Sequence, residues 1–398
     1  MRILFLALFL TSWLGAESVD SLIDRALSKH ESLKSIQQRL SAMDDYVSKS
    51  RNFADPELSL GINDIQFDDP LDRTLEPMQT TSVNFKQKFP WFGKRDARTG
   101  KVRAQKSLLF HTLEAAQVEL ARQIRRSVYT IDELKARMNV LDEYAKLTRQ
   151  NIDLNTAYTS TQGGRHMGIM SAELTLSQIR IRTEKLRAAL KTQRAKLAYL
   201  VQGDVGEVSG SETLSPPPPK QRFESRLDHN RAYRVKTALS EVALAETKVR
   251  EAETSADPYV KAGYYYRRSY PDYVSVTVGA TLPIYGSQHD ETEAARKEAL
   301  AAKSASADYR ARVQSDFERA WAKLTEAWKI YRIIRDESLP QVEHMFELSE
   351  AKVRSGGELF AYIDLLEQKL RLDEQLIGAK AEYLRAQAEL KALTGEIK

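Results

Sequence analysis

Three short motifs occur twice in this 398-residue sequence, in the same order each time. ADPE at 54–57 matches ADPY at 256–259, KFPWFGK at 88–94 matches TLPIYGS at 281–287, and LAYLVQG at 197–203 matches ELKALTG at 389–395. The second and third pairs lie 193 and 192 positions apart, whereas the first pair lies 202 apart. The first half therefore carries nine extra residues before KFPWFGK, where a loop between paired strands is expected. Such a duplication predicts two copies of one structural unit.

The duplication sets the expected domain boundaries. We predict a first unit over 17–203 and a second over 223–398, joined by a linker over 204–222 that is rich in Pro, Gly and Ser. Residues 1–16, MRILFLALFLTSWLGA, have the basic start, apolar core and small-residue end of a secretory signal peptide. No later stretch has 18 consecutive apolar residues, so no transmembrane helix is expected in the mature chain.

Each unit contains two short segments in which apolar and polar residues alternate. We predict strands at about 57–63, 80–89, 259–267 and 272–283. Segments of about 10 residues fit tilted membrane strands with one lipid-facing and one lumen-facing side. The expected lumen-facing set includes Asn84, Lys86, Lys88, Ser275 and Thr277.

The remaining segments carry a helical pattern. We predict helices at about 18–52, 94–158, 167–202, 223–255, 287–353 and 359–395. Apolar residues spaced 3-4-3-4, such as Leu33, Ile36, Leu40, Met43 and Val47, indicate coiled-coil packing. At 1.5 Å per residue, the two longest helices would each span roughly 100 Å.

Composition excludes several classes of function. The chain has no cysteine, which rules out disulfides, cysteine zinc sites and a lipid-anchored N-terminal Cys. The 60 basic and 55 acidic residues give a net charge of +5, and no basic block suggests nucleic acid. HExxH, GxSxG and Walker patterns are absent, so no enzyme, catalytic residue or cofactor is expected.

Four membrane strands per chain are too few to close a barrel, because the smallest membrane barrels have about eight. An open strand edge cannot face lipid, so several chains must share one barrel. The expected fold is therefore mixed and mainly α-helical, with coiled-coil helices and four strands that contribute to a shared pore.

The segments FKQKFPWFGKRDAR (85–98), VGATLPIYGSQHDETEAA (278–295) and VRSGGELFAYIDLLEQKLRLDEQ (353–375) resemble the TolC-like outer-membrane efflux proteins. The resemblance covers nearly the whole mature chain, including its duplication. It implies a homotrimer in the outer membrane, with a twelve-stranded barrel over a periplasmic helical tunnel. It also implies docking to a periplasmic adaptor and an inner-membrane pump, with a gate at the periplasmic helix tips.

The junction motif is similar to that of members serving heavy-metal pumps. It comprises Gln87, Pro90, Trp91, Gly93 and Lys94 in the first unit, with the counterparts Pro283 and Gly286 in the second. A strand-to-helix turn is the preferred interpretation of this motif, because both units contain a form of it.

The predicted helix tips carry the other candidate residues. Turns are expected at Gly163, Gly164, Gly356 and Gly357. Near the second tip, a cation-selecting ring could be formed by Glu358, Asp364 or Glu367, repeated by symmetry in each copy of the chain. A position on a solvated helix face is the alternative explanation for any single one of these residues. Near the first tip, soft ligands for Cu(I) or Ag(I) could come from His166, Met167 and Met170, with tip packing as the preferred alternative.

Three functional hypotheses follow from the sequence. The first is a passive exit duct of a tripartite pump that exports metal cations. The second is a duct of the same kind for drug efflux or type I secretion. The third, from another class, is a soluble periplasmic adaptor or coiled-coil scaffold, which would be extracted without detergent.

Overall fold

The computed structural model describes residues 17–91, 93–158, 165–210, 214–354 and 359–398. The predicted signal peptide, 1–16, lies outside the described residues. The chain divides into two compact units. The helical unit comprises Met1–Lys34, Glu114–Arg231 and Ala311–Lys398, and the mixed unit comprises Ser35–Leu113 and Ala232–Arg310. Each compact unit therefore combines segments of both predicted repeats.

The mixed unit contains one antiparallel sheet of four strands in the order β1-β2-β3-β4. The strands are β1 (Glu57–Asn63), β2 (Thr80–Lys88), β3 (Asp257–Tyr266) and β4 (Tyr273–Thr281). All four predicted strands are present, and each end lies within two residues of its expected position. The first repeat supplies β1 and β2 and the second supplies β3 and β4, so the central β2–β3 pairing joins the repeats.

Nine α-helices make up most of the described chain. They are α1 (Val19–Lys29), α2 (Glu31–Ser50), α3 (Lys94–Tyr158), α4 (Arg165–Val201), α5 (Gln221–Glu224), α6 (Arg231–Glu253), α7 (Ser287–Ile333), α8 (Leu339–Arg354) and α9 (Leu359–Leu393). None of the helices in the described residues is long and apolar enough to cross a membrane. The predicted fold class, mainly helical with long helices and four strands, is confirmed.

Three predicted helices differ from those observed. The segment predicted as one helix over 18–52 is broken at His30, whose backbone is extended between α1 and α2. The segment predicted over 223–255 begins instead as α5 and a 3₁₀ turn at Leu227–His229, and α6 starts only at Arg231. The segment predicted over 287–353 contains a π-helical turn at Ile334–Ser338 between α7 and α8. Pro340 follows this turn and cannot donate a backbone hydrogen bond, so a local change of helical pitch is expected there.

The core of the helical unit includes a cluster between α3, α4 and α9. Leu141 and Tyr144 of α3 pack with Ala172 and Ile179 of α4, and with residues of α9 such as Leu366. Leu141 and Ala172 are fully buried. A 3.5-residue repeat keeps one face of each helix toward its neighbours, so such a cluster is expected where helices pack as a coiled coil.

Candidate functional site

The four-stranded sheet has one continuous apolar face. Antiparallel partners share a face, so the register places the apolar residues of all four strands side by side. Leu60 is 78% exposed and Val276 is 67% exposed. Such a contiguous apolar surface marks an interaction with lipid or another protein. The face consists of Leu58, Leu60, Ile62, Val83, Phe85, Val260, Ala262, Tyr264, Val274, Val276 and Val278.

The opposite face of the sheet is polar. The register aligns Asn84 with Gly263 and Ser275, and it aligns Lys86 with Lys261 and Thr277. The five residues predicted to face a lumen therefore lie on one side of the sheet. The neutral part of this face is hydrogen-bonded, since Tyr265 Oη donates to Asn84 Oδ1 over 3.1 Å and Asn84 Nδ2 donates to Ser82 Oγ over 3.2 Å.

Charged residues occupy one end of the polar face, where β2 leads into α3. The Glu57 carboxylate lies 3.1 Å from Lys86 Nζ and 3.4 Å from Lys88 Nζ. Lys86 Nζ also lies 5.2 Å from the centre of the Tyr259 ring, a favourable cation–π distance. Glu57, Tyr259 and Lys261 were not identified as site residues from the sequence. Their alternation places them on a polar face, but only the register shows that they meet.

The two edges of the sheet are open. Within the described residues, β1 pairs only with β2 and β4 pairs only with β3. Unpaired edge N–H and C=O groups are a template for pairing with another strand. A sheet with two open edges and an exposed apolar face is therefore suited to assembly with further copies of itself.

Both strand-to-helix junctions use a glycine in a left-handed conformation. Gly93 has a φ of 76° and Gly286 has a φ of 78°, a conformation that L-residues with a Cβ rarely adopt. Each lies immediately before its helix, α3 or α7. The paired glycines show that the two sequence motifs form equivalent turns. The exposed Trp91 and Tyr285 are within two residues of these glycines.

Lys94 connects the first junction to the start of β3. Its side chain is 3% exposed, and its Nζ donates to Asp257 Oδ1 over 2.7 Å and to the Ser255 carbonyl over 2.6 Å. Gln87 Nε2 donates to the carbonyls of Ala54 and Lys88. These contacts account for Gln87 and Lys94 through local structure, which supports the interpretation of the motif as a turn.

The predicted tip residues are only partly described. Gly163, Gly164, Gly356, Gly357 and Glu358 lie outside the described residues. His166 and Met167 belong to α4, but their side chains are not described either, and Met170 is exposed on the same helix. The described residues contain no group of three His, Cys, Asp or Glu side chains that could hold a metal ion.

The two described gate candidates have different surroundings. Asp364 is exposed and accepts a hydrogen bond from Gln368 Nε2 over 2.8 Å. Glu367 accepts a hydrogen bond from Thr175 Oγ1 of α4 over 2.9 Å and lies 3.7 Å from Arg371. Asp364 is therefore available to solvent, whereas Glu367 is engaged in packing between α4 and α9.

Several solved outer-membrane proteins share this architecture. The outer membrane protein VceC of Vibrio cholerae superimposes with a TM-score of 0.78 at 15% identity, over 96% of this chain and 97% of that one. The chain has the TolC-like channel fold. The CmeC outer membrane channel of Campylobacter jejuni shares this fold at 12% identity and a TM-score of 0.77, over 95% of this chain and 85% of that one.

A further channel with the TolC-like fold is the open state of the MtrE outer membrane channel of Neisseria gonorrhoeae. It matches at 15% identity and a TM-score of 0.76, over 95% of this chain and 89% of that one. No family model matches the sequence. No curated protein matches it significantly either. The low identity at nearly full coverage means that the likeness rests on the fold.

Proposed function

We propose that this chain is one subunit of the outer-membrane exit duct of a tripartite efflux system. The observation that carries this proposal is the two-faced sheet, with its exposed apolar face, its polar face and its two open edges. The fold supports it, because structures with the same fold are outer-membrane channels. The duct conducts its cargo passively from the periplasm to the exterior of a Gram-negative cell.

The open edges require other copies of the chain. Four strands cannot close a membrane barrel, and lipid offers no hydrogen-bond partners to an open edge. Joining β4 of one copy to β1 of the next buries both edges, and three copies give twelve strands. The apolar faces then contact lipid and the polar faces line a common pore, in agreement with the homotrimer implied by the resemblance.

The partners in this proposal are a periplasmic adaptor and an inner-membrane pump. They follow from the resemblance of 353–375 and the junction motifs to TolC-like proteins. The pump supplies the energy, and the tip segments around 159–166 and 354–358 are the proposed docking and gating region. Asp364, which is exposed, is the preferred described candidate for a gate residue.

Two cargo classes are compatible with this role. The junction motif favours heavy-metal cations, and a drug-efflux or type I secretion duct is the alternative. Deleting the gene and measuring tolerance to copper, silver, zinc and cadmium tests the first class. A strain that loses tolerance to organic compounds but keeps its metal tolerance supports the alternative.

Purification from outer membranes followed by planar-bilayer recording tests the duct itself. We expect extraction to require detergent, a heat-modifiable oligomer on gels and stepwise conductance. A monomer that is released without detergent and forms no channel would contradict the proposal. That result would favour the periplasmic adaptor or scaffold.

A further inference from the structure

The charged residues of the sheet all lie at one end of its polar face. Asp257 is paired with the buried Lys94, so these two charges cancel. The other end of the face carries hydroxyl and amide side chains, such as Ser82, Asn84 and Ser275. The charged strand residues are Glu57, Lys86, Lys88, Asp257 and Lys261.

This charged end has an excess of lysine. Glu57 is shared between Lys86 and Lys88, at 3.1 and 3.4 Å. With Asp257 neutralised by Lys94, three lysines and one carboxylate, Glu57, remain at this end. Each chain therefore carries two net positive charges here. We call Lys86, Lys88 and Lys261 the lysine band.

The arrangement of the band costs stability. Lys86 and Lys261 are direct cross-strand partners, and like charges in this position repel each other. Glu57 and the Tyr259 ring offset part of this repulsion around Lys86. If this face of the sheet needed only to be hydrated, neutral polar residues could occupy the positions of Lys86 and Lys261, as they do at Asn84 and Ser275. The opposed lysines are therefore better explained by an electrostatic effect on the ions or molecules that move past this face of the sheet.

We propose that the lysine band makes the pore anion-selective and that the cargo of the duct is anionic. The proposal rests on the exit-duct function and assigns its substrate class. In a trimer the band repeats three times, and a lumen lined by one sign of charge concentrates ions of the opposite sign. A free metal cation would cross the band against its field, whereas an organic anion would be attracted. The band thus favours the organic alternative over metal cations.

The test is the reversal potential of the purified trimer in planar bilayers under a KCl gradient. We expect chloride to permeate about threefold more readily than potassium near 0.1 M salt, and the preference to grow near 0.01 M, where screening is weaker. A wild-type channel that prefers potassium would overturn the proposal. A preparation that forms no channel at all would instead overturn the exit-duct function.

Three variants identify the charges responsible. The double variant Lys86→Gln with Lys261→Gln should reduce the chloride preference to about onefold, since one remaining lysine faces one carboxylate. The matched double variant with arginine at both positions keeps the charges and should keep the preference. Glu57→Gln should increase it. Equal selectivity in the double glutamine variant and the double arginine variant would refute the role of the lysine band. If the double glutamine variant fails to assemble, Glu57→Gln tests that role independently.

Discussion

Adjacent residues on β1 should respond very differently to a new charge. Leu60 and Ser59 are neighbours in the middle of this strand, and both are exposed in the single chain. Leu60 lies on the apolar face, opposite Val83, whereas Ser59 lies on the polar face, opposite Asn84. If the apolar face contacts lipid, Leu60→Arg places a guanidinium in hydrocarbon, and Ser59→Arg places the same group in a wet lumen.

The expected penalty follows from the position in the strand. Leu60 is the fourth of seven residues, so it lies near the middle of the apolar band. An arginine on the lipid face near the bilayer midplane costs about 2–4 kcal/mol per chain. Since 1.4 kcal/mol corresponds to a tenfold change, this is roughly a 30- to 1,000-fold shift in the insertion equilibrium. Ser59→Arg should cost less than about 1 kcal/mol, because its side chain stays in water.

The assay is urea unfolding of each variant in lipid vesicles, with the amount of heat-modifiable oligomer in outer membranes as a second readout. Leu60→Arg should lower the free energy of unfolding and reduce the oligomer, while Ser59→Arg should resemble the wild type. Equal losses in both variants would refute the assignment of the two faces. A larger loss in Ser59→Arg would reverse it.

Three further substitutions, with Gly100→Ala as a control, test the junction and the helical core by urea unfolding in detergent. Lys94→Met should cost about 2 kcal/mol, because it removes a buried ammonium group and leaves the Ser255 carbonyl and the Asp257 carboxylate without this partner; a loss below about 0.5 kcal/mol would contradict a stabilising role for Lys94. Gly93→Ala should cost about 1–2 kcal/mol at a φ of 76°, whereas Gly100→Ala inside α3 should be neutral or stabilising. Tyr144→Phe should cost about 1–2 kcal/mol at pH 8, because it removes a 2.6 Å hydrogen bond to Asp373. Burial and Asp373 hold the pKa of Tyr144 above its ordinary value, so its contribution persists below about pH 10 and is lost at more alkaline pH. The cost of the Tyr144 substitution should therefore shrink above that pH, and a constant cost would be inconsistent with the shift.

Local patterns in the sequence were sufficient for the strands and their faces. Alternation with a period of two determines which residues share a face, and the register confirms it for Asn84 and Ser275. The duplicated motif also predicted equivalent turns, which Gly93 and Gly286 form. These features depend on residues close in sequence, so a pattern within one segment reveals them.

Features that depend on contacts between distant segments were missed. Lys86 and Lys261 become neighbours only through the pairing of strands from different repeats. The difference between Asp364 and Glu367 depends on which side of α9 faces α4, and their spacing does not reveal it. The break at His30 comes before the heptad pattern that begins at Leu33, so that pattern did not indicate it.

The pairing of β4 with β1 of a neighbouring copy can be tested directly by cysteine cross-linking. The chain has no native cysteine, so Ser59→Cys on β1 can be combined in turn with Ser275→Cys or Thr277→Cys on β4. Within one chain these edges are three strand spacings apart, about 14 Å, which no disulfide can bridge. Oxidation in the membrane should give covalent dimers and a closed trimer for at least one pair. Chains that stay monomeric for both pairs, in a properly inserted protein, would contradict the shared sheet.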